Sequence, residues 1–535
     1  MSEITSDKVP AGVFSRTSSG LVRTVSTFDT FFYNLVQLGV AFAFFNVAYW
    51  FLYPGSNMET ATIIALVVAL LEGVTYGLFA SVYPRSGGEY VPLSRATHPF
   101  IGFVGGFNNT MWQCFWTGTT AQIATSMGLA PLFITLGLQT GSDALFNLGV
   151  WIDSSWGWFI VGMMVIVGSA YILNRGMSVY FKIQKWLFSI GLACFLVLII
   201  VLLLGSTGTF DFQASYAKYF GSGAYTELLE AARAEGVDLN PISNGKMTLW
   251  FTIWPAYSFF FAVLSTSFSG EIKDVKRGQL IGMAGSQVVG GILVLLIGLL
   301  SRTAFSKEGV LAIGAVSDAG NFPLPYPWVS MIASIMADNV LLTIIINMGV
   351  LLLVSFMTAS CIIYGSRGIL AWGIDGMAPE WVGEVSKKYH TPTNAIIVNT
   401  VIGLAILVIV SFTDWLHTIQ GMAGTGLVFM VTTLAAAFFP YTKRETYEAS
   451  PARIEVFGIP VMTITGLLGS AGLGYVVYRL LVDPMYGVDV ATNPFAFYVS
   501  IGVFVVGAIW YFIARAIRRG QGVDMDARFR EIPIE

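Results

Sequence analysis

The chain has 535 residues, 55% of them hydrophobic and only 11% charged, with a formal net charge of -3. So apolar a composition excludes a water-soluble globular protein of this length and points to an integral membrane protein. The near-neutral balance supplies no basic face for nucleic acid. Cys114, Cys194 and Cys361 all fall inside apolar runs and give no disulfide framework. His98, His390 and His417 form neither an HExxH pattern nor a Cys/His cluster, so no metal site is firm.

In chain order, the first 26 residues are a polar tail without the apolar core of a cleavable signal peptide. Read as stretches of about 20 apolar residues, twelve spans follow, at 27–52, 59–82, 99–126, 157–173, 178–204, 248–269, 279–300, 330–365, 394–412, 418–439, 459–481 and 494–515. The longest connection, 205–247, contains "YTELLEAARAEG", whose pattern predicts one short exposed helix. Residues 516–535 form a C-terminal tail. Counting Lys and Arg in alternate connections places 22 on the side holding both termini and six on the other. Basic residues are retained on the cytoplasmic side, so both termini are expected to be cytoplasmic and the protein a multi-pass component of the cell membrane.

Ionisable residues inside the spans reduce to a few acids. Glu72, in "ALLEGVTYG", lies twelve residues before Pro84, or about 18 Å from the cytoplasmic end at about 1.5 Å per residue. A carboxylate near the midplane is costly unless protonated or paired, so Glu72 is either a coupling-ion residue or a protonated acid bonded to a helix neighbour such as Tyr76. Asp338 fits an outer interface. The third span carries Asn108, Asn109, Gln113, Thr117 and Thr120, which either bond to adjacent helices or line a wet cavity.

The connection after the second span reads "YPRSGGEYVPLSRATHPFIGFVGG", Tyr83 to Gly106. Pro84 stops the helix, and Gly87 and Gly88 permit a tight bend, which by themselves predict an interfacial elbow. This stretch resembles the signature after the second helix in the amino acid, polyamine and organocation (APC) superfamily of secondary transporters. "GEIKDVKRG" after the sixth span and "SRGILAWGIDGMAPEWVGEVSKKYHTP" after the eighth resemble the same family, and "NRGMSVYFKIQK" does so more loosely before the fifth.

The resemblance implies an all-α fold of the leucine-transporter type: spans one to five (27–204) and six to ten (248–439) as two inverted repeats, with spans eleven and twelve (440–515) outside them. Spans one and six are then expected to break near the midplane and bind a small polar substrate through freed main-chain groups. Span one offers only Gly39 as a permissive residue, and span six offers Pro255. The expected substrate residues are Gly39, Val40, Ala41, Phe42, Ala43 and Phe44 of span one, Asn109 and Gln113 of span three, and Tyr257, Phe261 and Ser265 of span six. With so little glycine, an aromatic site for an apolar or amine-bearing solute is expected. Ser355 and Thr358 share a face of span eight, and sodium-coupled relatives place such a pair around Na+.

The functional expectation is a secondary transporter of an amino acid or related amine, working by alternating access in the lipid bilayer. H+ or Na+ is the possible coupling ion, exchange is the other mode, and no cofactor is required. "GSTGTF" at Gly205 lacks the Lys of a phosphate loop, so no ATP-driven pump is indicated. The alternatives are a transporter-fold channel or substrate sensor, or a carrier of another solute such as a nucleobase. No intramembrane enzyme is expected, because no nucleophile and base share a depth.

Overall fold

The computed structural model describes residues 20–415, 419, 421–485 and 490–530. The N-terminal tail up to residue 19, His417 and the last five residues lie outside the described residues. Among the described residues, twelve helices are long and apolar enough to cross a membrane: Thr27–Ala48, Met58–Val82, Pro99–Thr140, Ser155–Leu173, Met177–Ser206, Gly245–Ser267, Val275–Ala304, Val340–Asp375, Thr393–Phe412, Met422–Thr442, Val461–Val482 and Pro494–Gly520.

Span one begins with a capping box, in which the Asp29 N–H donates to Ser26 Oγ at 3.2 Å and the Ser26 N–H to Asp29 Oδ2 at 3.0 Å. It is interrupted where expected. Thr27–Leu38 ends at Gly39, which is left-handed (φ 63, ψ 62), a single turn of 3-10 helix spans Val40–Phe42, and Ala43–Ala48 completes the crossing. A Cβ on residue 39 would sit 3.2 Å from both Met357 and Phe42, so glycine is needed there for its backbone angle and for its lack of bulk.

Span six is interrupted differently. Gly245–Phe251 and Ile253–Phe259 meet at Thr252, which puts Pro255 in the first turn of the second piece, where a missing N–H costs little. From Phe260 to Ser267 the winding tightens to 3-10 helix. That change needs no left-handed residue, so Phe261 is accommodated in the tightened turns without the backbone freedom of glycine.

Each of the first four spans packs against the span five places later: one on six, two on seven, three on eight and four on nine. This is the contact pattern of two inverted repeats related by a pseudo-two-fold axis, and the chain has the expected twelve-helix all-α fold, with spans eleven and twelve outside the repeats. Small residues permit the closest approaches. A Cβ on Gly118 of span three would meet the Gly403 carbonyl of span nine at 2.6 Å.

Two spans depart most from their expected bounds, span three at its end and span eight at both, since span eight runs on past 365 to Asp375. Span three continues past 126 through a π turn, Thr125–Leu129, to Thr140, because the wider turn absorbs the strain of Pro131. Span eight begins at Val340 rather than 330, since Asp338 adopts a left-handed conformation (φ 46) and ends a separate helix, Val329–Ala337. Asp338 itself is paired with Lys218 and Tyr219. The 205–247 connection holds the expected helix at Ala224–Ala234 and a second at Phe212–Phe220.

The face carrying both described ends is closed. Val25 and Ile272 form a β-bridge, with the Val25 N–H donating to the Glu271 carbonyl at 3.0 Å, and the Gly87 N–H donates to the Ser267 carbonyl at 2.9 Å. Arg367 of span eight donates to Glu271 Oε1 at 3.0 Å with both side chains buried. Arg95 meets Asp375 at 2.7 Å, and the Tyr90 hydroxyl donates to the same carboxylate at 2.6 Å. The Tyr83–His98 connection is no surface elbow: Tyr90 to Arg95 are buried in a short helix tucked beneath the bundle.

Removing one member of a buried ion pair strands its partner in low dielectric, at a cost of about 3–5 kcal/mol. Glu271→Gln and Arg367→Met are each expected to lower the unfolding temperature of the purified protein strongly, and the double variant less than the sum. Additive losses in a double-mutant cycle would show that the two side chains are not coupled.

Candidate functional site

The interruptions of spans one and six face a cavity of about 620 Å³. Gln37, Phe42 and Phe45 flank it on span one, Gln113, Trp116 and Thr120 on span three, Tyr257 and Phe261 on span six, and Met357 and Cys361 on span eight. It continues to the face opposite the termini, where Asp318, Pro325, Tyr326 and Trp328 line its mouth and Asp318 is exposed.

The walls are mainly aromatic. Tyr49 stacks on Trp254 with ring centroids 4.5 Å apart, Tyr326 on Trp328 at 5.4 Å, and Trp116 meets Phe261 edge-on at 4.8 Å. No Lys or Arg is among the described lining residues, and Asp318 is their one carboxylate. Such a cavity can desolvate an apolar side chain and offer a polar or cationic head a few fixed partners.

Deep to the cavity, a polar clamp holds the interrupted spans together. Asn34 Nδ2 donates to Ser265 Oγ at 2.8 Å and the Ser265 N–H to Asn34 Oδ1 at 3.2 Å, while Gln279 Nε2 donates to the Ser265 carbonyl at 3.0 Å. These side chains satisfy main-chain groups that the tightened winding of span six presents to its neighbours.

Of the eleven substrate residues expected from sequence, Phe42, Gln113, Tyr257 and Phe261 line the cavity. Gly39 forms the break, behind Met357, and Val40, Ala41 and Ala43 are buried in the turns around it. Phe44 points away and stacks on Phe195 of span five, with centroids 6.2 Å apart. Ser265 belongs to the clamp. Asn109 lies toward the closed face, its Nδ2 donating to Glu89 Oε2 at 3.2 Å. Tyr364 donates to the same carboxylate oxygen. Burial pushes the Glu89 carboxyl above the usual carboxylate range, against the pull of the Tyr364 and Asn109 hydrogen bonds.

Of the three residues expected to hold the coupling ion, Ser355 and Thr358 lie one turn apart on span eight while Glu72 stands on span two, and none of the three lines the cavity. Thr358 is buried and its hydroxyl lies 3.0 Å from that of Thr120, whereas Ser355 is half-buried. Glu72 is fully buried in span two, neither carboxylate oxygen has a hydrogen-bond partner among the described residues, and it makes no bond to Tyr76. Gln287 of span seven packs on the neighbouring Gly73, and its amide is likewise without a partner among the described residues.

Sequence reasoning missed Gln37, Trp116, Tyr49, Trp254, Met357, Cys361 and the whole mouth. One signal was available: Gln113, Trp116 and Thr120 recur at helical spacing on one face of span three. Asp318, Tyr326 and Trp328 carry no local signal, because a connection folds over the bundle only in three dimensions.

A family model described as amino acid permease matches residues 25–508. A branched-chain amino acid permease, BcaP, of Lactococcus lactis subsp. cremoris is 22% identical over 428 residues, covering 78% of this chain and 81% of its own. A putative polyamine transporter of Candida albicans is 25% identical over 480 residues, covering 84% of this chain and 77% of its own. With its twelve spans, its paired interruptions and this match over nearly its whole length, the chain belongs to the amino acid permease family of the APC superfamily, as a multi-pass membrane protein that is a secondary transporter of amino acids or related amines and not an enzyme.

Proposed function

We propose that the protein moves its substrate inward by alternating access, with both termini cytoplasmic, and that the proton carried by Glu72 is the coupling ion. The observation that carries this reading is a cavity reaching the interrupted spans from one face while buried ion pairs seal the other. Such a molecule stands in an outward-facing state if the basic-rich connections are cytoplasmic, as retention of Lys and Arg on that side requires. Substrate would settle against Gln37, Gln113 and Thr120, and the seal through Glu271–Arg367 would have to part for its release.

A proton is preferred to Na+ because of the chemistry of the groups present. Sodium asks for several convergent hard oxygens, yet the Thr358 hydroxyl is already engaged with Thr120 and Ser355 does not join it. Glu72 has no cation and no donor among the described residues, so at membrane depth it is held more easily as the neutral acid and can take up or release one proton as its surroundings hydrate. The curated relatives, one a permease for branched-chain amino acids and one a putative polyamine transporter by name, support an amino acid or amine as the substrate class.

Two outcomes are expected in proteoliposomes. Labelled substrate should enter by saturable counterflow, whereas unsaturable conductance would replace the carrier with a channel, and binding without movement would replace it with a sensor. Glu72→Gln should abolish accumulation driven by a pH gradient while retaining exchange. Undiminished pH-driven accumulation in that variant would return Glu72 to a purely structural role.

A further inference from the structure

The mouth of the cavity holds an acid that the transport reading leaves unused. Asp318 is the last residue of the helix Lys307–Asp318, so its carboxylate adds to the negative end of that helix's dipole. Among the described residues it makes no ion pair and accepts no hydrogen bond, although it lines the cavity and its charge acts on the Tyr49 hydroxyl across the mouth. The two aromatic stacks, Tyr49 on Trp254 and Tyr326 on Trp328, stand in the same wall. Behind them Asp153 accepts from the Tyr326 hydroxyl at 2.8 Å and from Trp158 Nε1 at 3.1 Å, so the wall brings no cation against Asp318.

A second acceptor waits at depth. Gln113 is 1% exposed and lines the same cavity, yet its Oε1 has no hydrogen-bond partner among the described residues. A buried amide oxygen left without a donor is costly unless a ligand supplies one. The wider field points the same way: by sequence the connections on this face hold six Lys and Arg against fourteen Asp and Glu, and of those bases Arg302, Lys218 and Arg479 are committed to Glu59, Asp338 and Asp483. An acidic face around an aromatic funnel concentrates cations and steers them inward.

The geometry points to an ammonium-recognition subsite at the mouth, with Asp318 as its counter-ion, which makes the favoured substrate an elongated aliphatic amine with a donor at each end, such as an α,ω-diamine, rather than a neutral zwitterionic amino acid. One ammonium group pairs with Asp318, the methylene stem lies against the stacked rings, and the far N–H groups reach Gln113. A substrate carboxylate finds no Lys or Arg in the lining and meets the Asp318 charge on entry. This deepens the carrier reading but concerns binding alone, and so can be tested apart from transport.

The probes are putrescine and leucine, and the readouts are thermal stabilisation of the purified full-length protein and uptake by proteoliposomes. Putrescine should raise the unfolding temperature of the wild type more than leucine does. Asp318→Asn should weaken apparent putrescine affinity at least about tenfold while changing leucine less than about twofold, Asp318→Lys should abolish the putrescine shift, and Asp318→Glu should restore most of it. Absence of any putrescine shift in the wild type, or equal loss of both ligands in Asp318→Asn, overturns the subsite. A putrescine shift that is lost in Asp318→Asn while neither protein takes up putrescine or leucine upholds the subsite and removes the alternating-access reading instead.

Discussion

The rest of the structure depends on the satisfaction of main-chain polar groups where helices are interrupted at membrane depth. An unpaired N–H or C=O there costs several kcal/mol, so a break survives only where protein or a wet cavity surrounds it. Here the break of span one at Gly39 and the tightened winding of span six are held by Asn34, Ser265 and Gln279, three polar side chains from three different spans. Their bonds fix the two interruptions against each other and leave the opposite side of the breaks to the cavity.

The same logic governs the closed face. Arg367 with Glu271 and Arg95 with Asp375 are buried ion pairs that tie the connections after spans two and six to span eight. Buried pairs contribute little net stability compared with apolar packing, but they are strict about geometry. A seal of this kind suits a machine with two states, because parting it exposes charges that water can then solvate. Glu89, bonded to Tyr364 and Asn109, joins the same layer. Gly88 before it leaves room for the Tyr364 ring, where a Cβ would collide with the hydroxyl.

The chemistry of the cavity is set by what surrounds the solute rather than by a dense polar site. Aromatic faces supply area and a weak preference for cations, Gln113 and Thr120 supply a few directed contacts, and the single carboxylate at the mouth biases which charge enters. In the proposed scheme the group that carries the proton is spatially separate from the cavity, since Glu72 lies outside the lining and is approached by Gln287 of span seven through Gly73. Movement of span two against span seven would change the hydration of Glu72, and coupling would then travel through rigid spans rather than through direct contact with the solute.

The sequence by itself determined the twelve spans, the sidedness of their basic residues and the place of the first break, because hydrophobic length, charge asymmetry and a lone glycine are local properties. It also yielded Phe42, Gln113, Tyr257 and Phe261 as cavity residues. Only the tertiary structure decided that Phe44 faces Phe195, that Ser265 and Asn109 serve the clamp and the seal, and that Thr358 is spent on Thr120, since which way a side chain faces in an all-apolar helix depends on its neighbours and not on its spacing. Span six shows the limit most clearly: its proline suggested where it would bend, while the 3-10 winding around Phe261 arose from packing against span one. The mouth of the cavity was likewise invisible in the chain, as Asp318, Tyr326 and Trp328 acquire their meaning only when a connection folds back over the opening.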